Sequence, residues 1–130
     1  MTVKRQALGK SGEDLAVAAL EGRGYAILAR RYRTRHGEID IVARQRETTV
    51  FVEVKARSSE EFGGGAAAVT GWKQRRLVAM ATDYLARHRL LDRPCRFDVV
   101  AVDVPASAGG PIATGSDRAR VTIYPNAFDA

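Results

Sequence analysis

Two alternating stretches constrain this chain most, Glu38-Ile39-Asp40-Ile41-Val42-Ala43 and Thr49-Val50-Phe51-Val52-Glu53-Val54-Lys55. Each has the period-2, β-branched signature of a half-buried strand. Successive side chains leave a strand on opposite faces, so Ile39, Ile41 and Ala43 oppose Glu38, Asp40 and Val42. In the second stretch Val50, Val52 and Val54 oppose Phe51, Glu53 and Lys55. The polar link Gln45-Arg46-Glu47-Thr48 suits a four-residue hairpin loop. That loop pairs Asp40 with Glu53, Glu38 with Lys55, Ile39 with Val54, Ile41 with Val52 and Ala43 with Val50. A slip of one residue would set charges against valines, whereas a slip of two keeps the acids together. Facing carboxylates repel, so Asp40 and Glu53 need a cation, either the Lys55 ammonium or a divalent metal.

At 130 residues the chain suits one domain able to bury a core without disulfides. Lys and Arg number 21 against 15 Asp and Glu, a net charge of +6 that favours a polyanionic partner. The single cysteine, Cys95, cannot close an intrachain disulfide, and no Cys/His zinc spacing occurs. These features suit a reducing, cytoplasmic setting. Neither a signal-peptide core at the start nor a stretch approaching the ~18 apolar residues of a membrane span is present. No membrane partner is expected.

Along the chain, Ser11 and Asp14 resemble a capping box opening an amphipathic helix that Gly22 and Gly24 stop. Tyr25 to Arg35 reads as a first strand with a basic end. Ser58 to Gly65 is too glycine-rich for an element interior and reads as a mobile loop. Thr70 to about Arg89 carries Leu77, Ala81, Tyr84, Leu85 and His88 at helical spacing, a second helix packed on the sheet. Phe97 to Asp103, between Pro94 and Pro105, reads as a buried fourth strand. Residues 105–118 read as a flexible loop or disordered insertion, and Ala119 to Tyr124 as a returning edge strand.

The order helix, three strands, helix, strand, with an acid on the second strand and Glu-x-Lys on the third, resembles the PD-(D/E)XK nuclease superfamily. More closely, the chain is similar to the uncharacterised bacterial YraN-like family, related to archaeal-type Holliday junction resolvases. The residues carrying the resemblance are Gly9, Gly12, Glu13 and Ala16, Gly37 to Asp40, Phe51 to Arg57, Phe62-Gly63, and Lys73, Arg76, Leu77, Ala81, Tyr84 and Leu85. Glu-x-Lys alone is a weak signal; the combined set is specific. One departure is Ile39, standing where the motif's proline would be.

The resemblance implies an α/β fold with a restriction-endonuclease-like αβββαβ core, a mixed sheet flanked by helices, spanning residues 1–130 as one domain. It implies a Mg²⁺- or Mn²⁺-dependent hydrolase of DNA phosphodiester bonds, branched or structured DNA included, with a homodimer expected by analogy. Asp40 and Glu53 would bind the metal, joined by the Val54 carbonyl, while Lys55 orients or deprotonates the attacking water or offsets charge on the phosphate. Glu13 has two readings at this level: an acid complementing the dipole of the first helix, or a further metal ligand, as the matching glutamate is in resolvase-like relatives. Glu38 reads as a salt-bridge partner of Lys55. Arg30, Arg31, Arg33 and Arg35, with Lys73, Arg75 and Arg76, form the expected nucleic-acid-binding group, Lys73 facing inward and Arg75 and Arg76 outward. Trp72 and Tyr84 read as core anchors. The alternative is a catalytically silent nucleic-acid-binding module of the same fold; RNA is the weaker candidate ligand.

Overall fold

In the computed structural model the alternating segments are strands, and the residues described are 3–58, 71–104 and 119–128, with side chains over 12–57, 71–104 and 119–127. The order is α1 (Val3–Gly22), β1 (Ala26–Thr34), β2 (Gly37–Gln45), β3 (Thr48–Ser58), α2 (Gly71–Arg87), β4 (Cys95–Val104) and β5 (Arg120–Phe128). The strands lie in that sequence in one five-stranded sheet. β1, β2 and β3 pair antiparallel, β3 and β4 parallel, β4 and β5 antiparallel. A parallel pair needs a crossover, and α2 supplies it. This is the expected α/β arrangement, a mixed sheet in restriction-endonuclease-like order. Ser58 closes β3; the rest of the glycine-rich stretch and the 105–118 loop lie outside the described residues.

The sheet buries both faces. Ile41, Ala43, Val50, Val52, Val100 and Val102 pack with Leu15, Ala16 and Leu20 of α1. Val42, Phe51 and Phe97 pack with Leu77, Met80, Ala81, Tyr84 and Leu85 of α2. Phe51 meets Tyr84 edge-on with ring centroids 5.8 Å apart, and Tyr32 meets it at 5.0 Å. Phe97 to Val102 is buried without interruption, as a strand covered on both sides must be.

The hairpin register is the expected one, Ile41 facing Val52 and Ala43 facing Val50. Its loop is tighter than expected: Gln45 pairs with Thr48, leaving Arg46-Glu47 at the tip, with Arg46 at φ 56°. Ile39 departs from the expected row. It packs with Val42 and Phe51 on the α2 side, three residues from Val42 rather than an even number. Across the ladder Ala29 and Tyr32 show the same spacing, and Arg31 between them has φ 52°. The β1–β2 ladder itself shifts register between Ile27 and Ala29, a bulge on β1.

Helix α1 starts well before Ser11, so the expected capping box is interior and Glu13 is not in a first turn. Its end is a Schellman turn: Tyr25 N–H donates to Leu20 O, Gly24 N–H to Glu21 O, and Gly24 has φ 89°. Helix α2 ends the same way, Leu90 N–H donating to Leu85 O and Arg89 N–H to Ala86 O, but Arg89 holds the left-handed position at φ 58°. No helix among the described residues is long and apolar enough to cross a membrane.

Candidate active site

The site arises where the β2–β3 pairing stops. Paired residues run from Gln45↔Thr48 to Ile41↔Val52, although both strands continue beyond. Asp40 bridges the opening: its Oδ2 accepts a hydrogen bond from the Val54 N–H at 2.8 Å, a side chain standing in for a ladder bond. The acid is thereby fixed against β3. A cavity of about 250 Å³ opens here, lined by Glu38, Asp40, Val52 and Glu53 from the sheet and Lys73, Arg76, Leu77 and Met80 from α2.

Glu53 Oε1 meets two amines, Lys55 Nζ at 3.6 Å and Lys73 Nζ at 3.5 Å. Glu53 and Lys55 share one face of β3, two residues apart, and Lys73 descends from the first turn of α2. Burial, then a hydrogen bond from Lys73, lower the Lys55 ammonium below its ordinary range, with Glu53 opposing. Lys73 is raised, first by that bond with Lys55 and then by Glu53. Burial pushes Asp40 up to about 6; the Val54 N–H resists, while Glu53, Glu13 and Glu38 push it further. A half-buried carboxylate among three acidic neighbours is short of positive charge.

Among the described residues no three His, Cys, Asp or Glu side chains converge as a metal cluster. Magnesium, however, takes hard oxygen donors and commonly uses one or two carboxylates with water completing its shell. Asp40 and Glu53, on one cavity, fit that requirement. Glu13 is differently engaged: it is 7% exposed, with Arg30 Nε 2.9 Å from Oε1 and Arg31 Nε 3.2 Å from Oε2. Neither its helix position nor these contacts support the dipole reading. It contributes charge near Asp40 with both oxygens held by arginines. Gly12 permits the approach, since a Cβ there would lie 2.8 Å from the Ala56 Cβ of β3.

The basic residues divide into separate groups. Arg30 pairs with Glu13 and Asp14, and Arg31 with Glu13, tying β1 to α1. Arg33 pairs with Glu38 at 3.3 Å, so Glu38 is the partner of Arg33 rather than of Lys55. Arg35 is exposed, its Nε 3.4 Å from His36 Nε2. Arg75 is exposed on α2, as expected. Arg76 is exposed as expected, yet it also lines the cavity, and its Nε–H donates to His36 O at 2.7 Å. Gly37, at φ 133°, makes room for it, since a Cβ there would lie 2.7 Å from Arg76 Nη2. Tyr84 is a core anchor as expected, but Trp72 is not, being 60% exposed with the Arg76 guanidinium 5.3 Å from its ring centre.

One polar cluster went unread in the sequence. Asp98, on β4 and 1% exposed, accepts from Tyr25 Oη at 3.1 Å, Arg96 Nε at 3.0 Å and Asn126 N at 2.9 Å. Arg96 also donates to Tyr25 Oη and Gln45 Oε1, each at 2.7 Å. The available signal was an arginine two residues before an acid within an otherwise apolar strand. Those side chains share a face, and a buried acid there needs a cation.

The sequence model of the uncharacterised protein family UPF0102 matches residues 12–102, an interval containing the whole cavity lining. A UPF0102 protein of Anaeromyxobacter dehalogenans (strain 2CP-C) is 47% identical over 125 residues, covering 96% of this chain and 86% of its own. One of Nitrosomonas europaea is 48% identical over 121 residues, covering 93% and 92%. One of Ralstonia pickettii (strain 12J) is 53% identical over 102 residues, covering 75% and 81%. With every YraN-like motif residue except Gly9 inside the matched interval, the chain belongs to the uncharacterised protein family UPF0102.

Proposed function

We propose that this protein is a metal-dependent endonuclease that hydrolyses DNA phosphodiester bonds, branched or structured DNA included, in the cytoplasm. The observation that carries the reading is the meeting of Asp40, Glu53, Lys55 and Lys73 where β2 and β3 part. Asp40 and Glu53 hold the ion, Mg²⁺ or Mn²⁺. When bound, it supplies a Lewis acid for a phosphate oxygen and makes a coordinated water more acidic. Lys55 orients the attacking water and receives its proton; burial and the neighbouring Lys73 favour the neutral amine this requires. Lys73 and Arg76 face charge developing on the phosphate oxygens. Arg33, Arg35 and Arg75 extend positive potential beyond the cavity, while Arg30 and Arg31 act mainly by holding Glu13.

Incubation with branched, duplex and single-stranded DNA in Mn²⁺ should give nicking of at least one substrate. Asp40→Ala and Lys55→Ala should each abolish it, by at least about 100-fold. An inactive wild type, or variants that cleave equally well, would defeat the proposal. The second reading is a binding module of the same fold without turnover, supported by the exposed Arg35 and Arg75. Such a module would bind DNA with log K falling against log salt by roughly 0.9 per phosphate contact, and yield no product.

A further inference from the structure

Trp72 is the chain's only tryptophan, and it lies outside the core, its ring against Arg76, which lines the cavity. It is 60% exposed on the first turn of α2, immediately before Lys73, which reaches Glu53, and one turn before Arg76, which lines the cavity. An exposed indole offers a flat face on which a planar group can stack. Its orientation is supported from one side, because the Arg76 guanidinium lies 5.3 Å from the ring centre. Arg76 is itself fixed, its Nε–H bonded to His36 O and its terminal nitrogens over Gly37, where a Cβ would intrude. No carboxylate pairs with Arg76 among the described residues. A held aromatic plane beside a guanidinium that lines the proposed hydrolytic centre matches a nucleotide: a flat base and the phosphate attached to it.

We infer that Trp72 is a stacking platform for an unpaired DNA base, with Arg76 on the adjoining phosphate, so that the preferred substrate carries single-stranded or branched character beside the reacting bond. The inference rests on the nuclease reading in taking DNA as the ligand, and deepens it by naming which DNA. In a perfect duplex each base is already stacked on its neighbours. Trp72 could engage it only after a base was flipped out, which costs unstacking and unpairing. Single strands, branch points and frayed ends present bases without that cost.

Because Trp72 is the sole indole, its fluorescence reports the contact directly. The full chain is titrated in EDTA, where hydrolysis is off, with short oligothymidine, a branched junction and a blunt duplex. Saturable quenching by the first two, and weak quenching by the duplex, is the expected result. Trp72→Ala should weaken oligothymidine binding by about 5- to 150-fold and erase the preference over duplex, with Trp72→Phe restoring most of it. Binding with unchanged emission overturns the inference, as does a preference that survives Trp72→Ala or a failure of every oligonucleotide to bind. Quenching by oligouridine but not oligothymidine overturns the assignment to DNA. Quenching without any nicking in Mn²⁺ upholds the platform and removes the hydrolase. Nicking that needs Asp40 but ignores Trp72 does the reverse.

Discussion

Asp40→Asn should make the metal-free protein more stable while removing its proposed activity. Asp40 ordinarily ionises at 3.8 and is pushed up here to about 6, burial being the main cause. A rise of about two units, at about 1.4 kcal/mol each, sets a ceiling of about 3 kcal/mol on the cost of its charge in the folded state. Relaxation and residual water bring the expected gain to about 1–2 kcal/mol. Asparagine is neutral at every pH and still offers an oxygen to the Val54 N–H, so the bridge between β2 and β3 survives. The pH dependence has a definite sign. Well below the ordinary carboxyl value the group is protonated whether the chain is folded or not, and the two proteins should match. Between about pH 4 and about pH 6 the unfolded chain ionises Asp40 while the folded wild type still holds its proton, so wild type loses stability that the variant keeps, and above about pH 6 the difference is constant. Thermal melts in EDTA from pH 4 to pH 8 should therefore separate by about 3–10 °C at the upper end only. Mg²⁺ at about 100 times its dissociation constant should return about 2.7 kcal/mol to wild type and little to the variant. A variant no more stable than wild type at pH 8, or a gain independent of pH, would refute the electrostatic account of the site.

Two further perturbations test the frame around it. Asp98→Ala strips the buried acceptor from Tyr25, Arg96 and Asn126 and leaves the Arg96 guanidinium without its carboxylate, so urea unfolding should show a loss of about 3–5 kcal/mol. A loss under about 1 kcal/mol would mean that the cluster is solvated and holds nothing. Arg89→Gly relieves a left-handed residue that closes α2, and should raise stability by about 1 kcal/mol; an unchanged or lower melting temperature would contradict the strain at that turn.

The sequence by itself settled the strands and the hairpin register from Gln45↔Thr48 to Ile41↔Val52, since one buried face forbids a one-residue slip. The expected pairing of Asp40 with Glu53 does not form, because the ladder stops before them, yet both acids line one cavity. The sequence also settled α2, whose stripe of Leu77, Ala81, Tyr84 and Leu85 repeats at helical spacing over the sheet. Tertiary structure decided everything that depends on what lies across from a side chain. Ile39 packs toward α2 beside its β1 partner Tyr32 instead of joining the Ile41 row. Glu13 met Arg30 and Arg31 because Gly12 let α1 close on β3. Arg76 turned into the cavity because Gly37 left room, and Trp72 stayed in water while Tyr84, three turns along the same helix, went into the core. Periodicity assigns a residue to a face of its own element; which long-range partner waits there, and whether the sheet extends far enough to cover it, depends on the approach of segments remote in sequence.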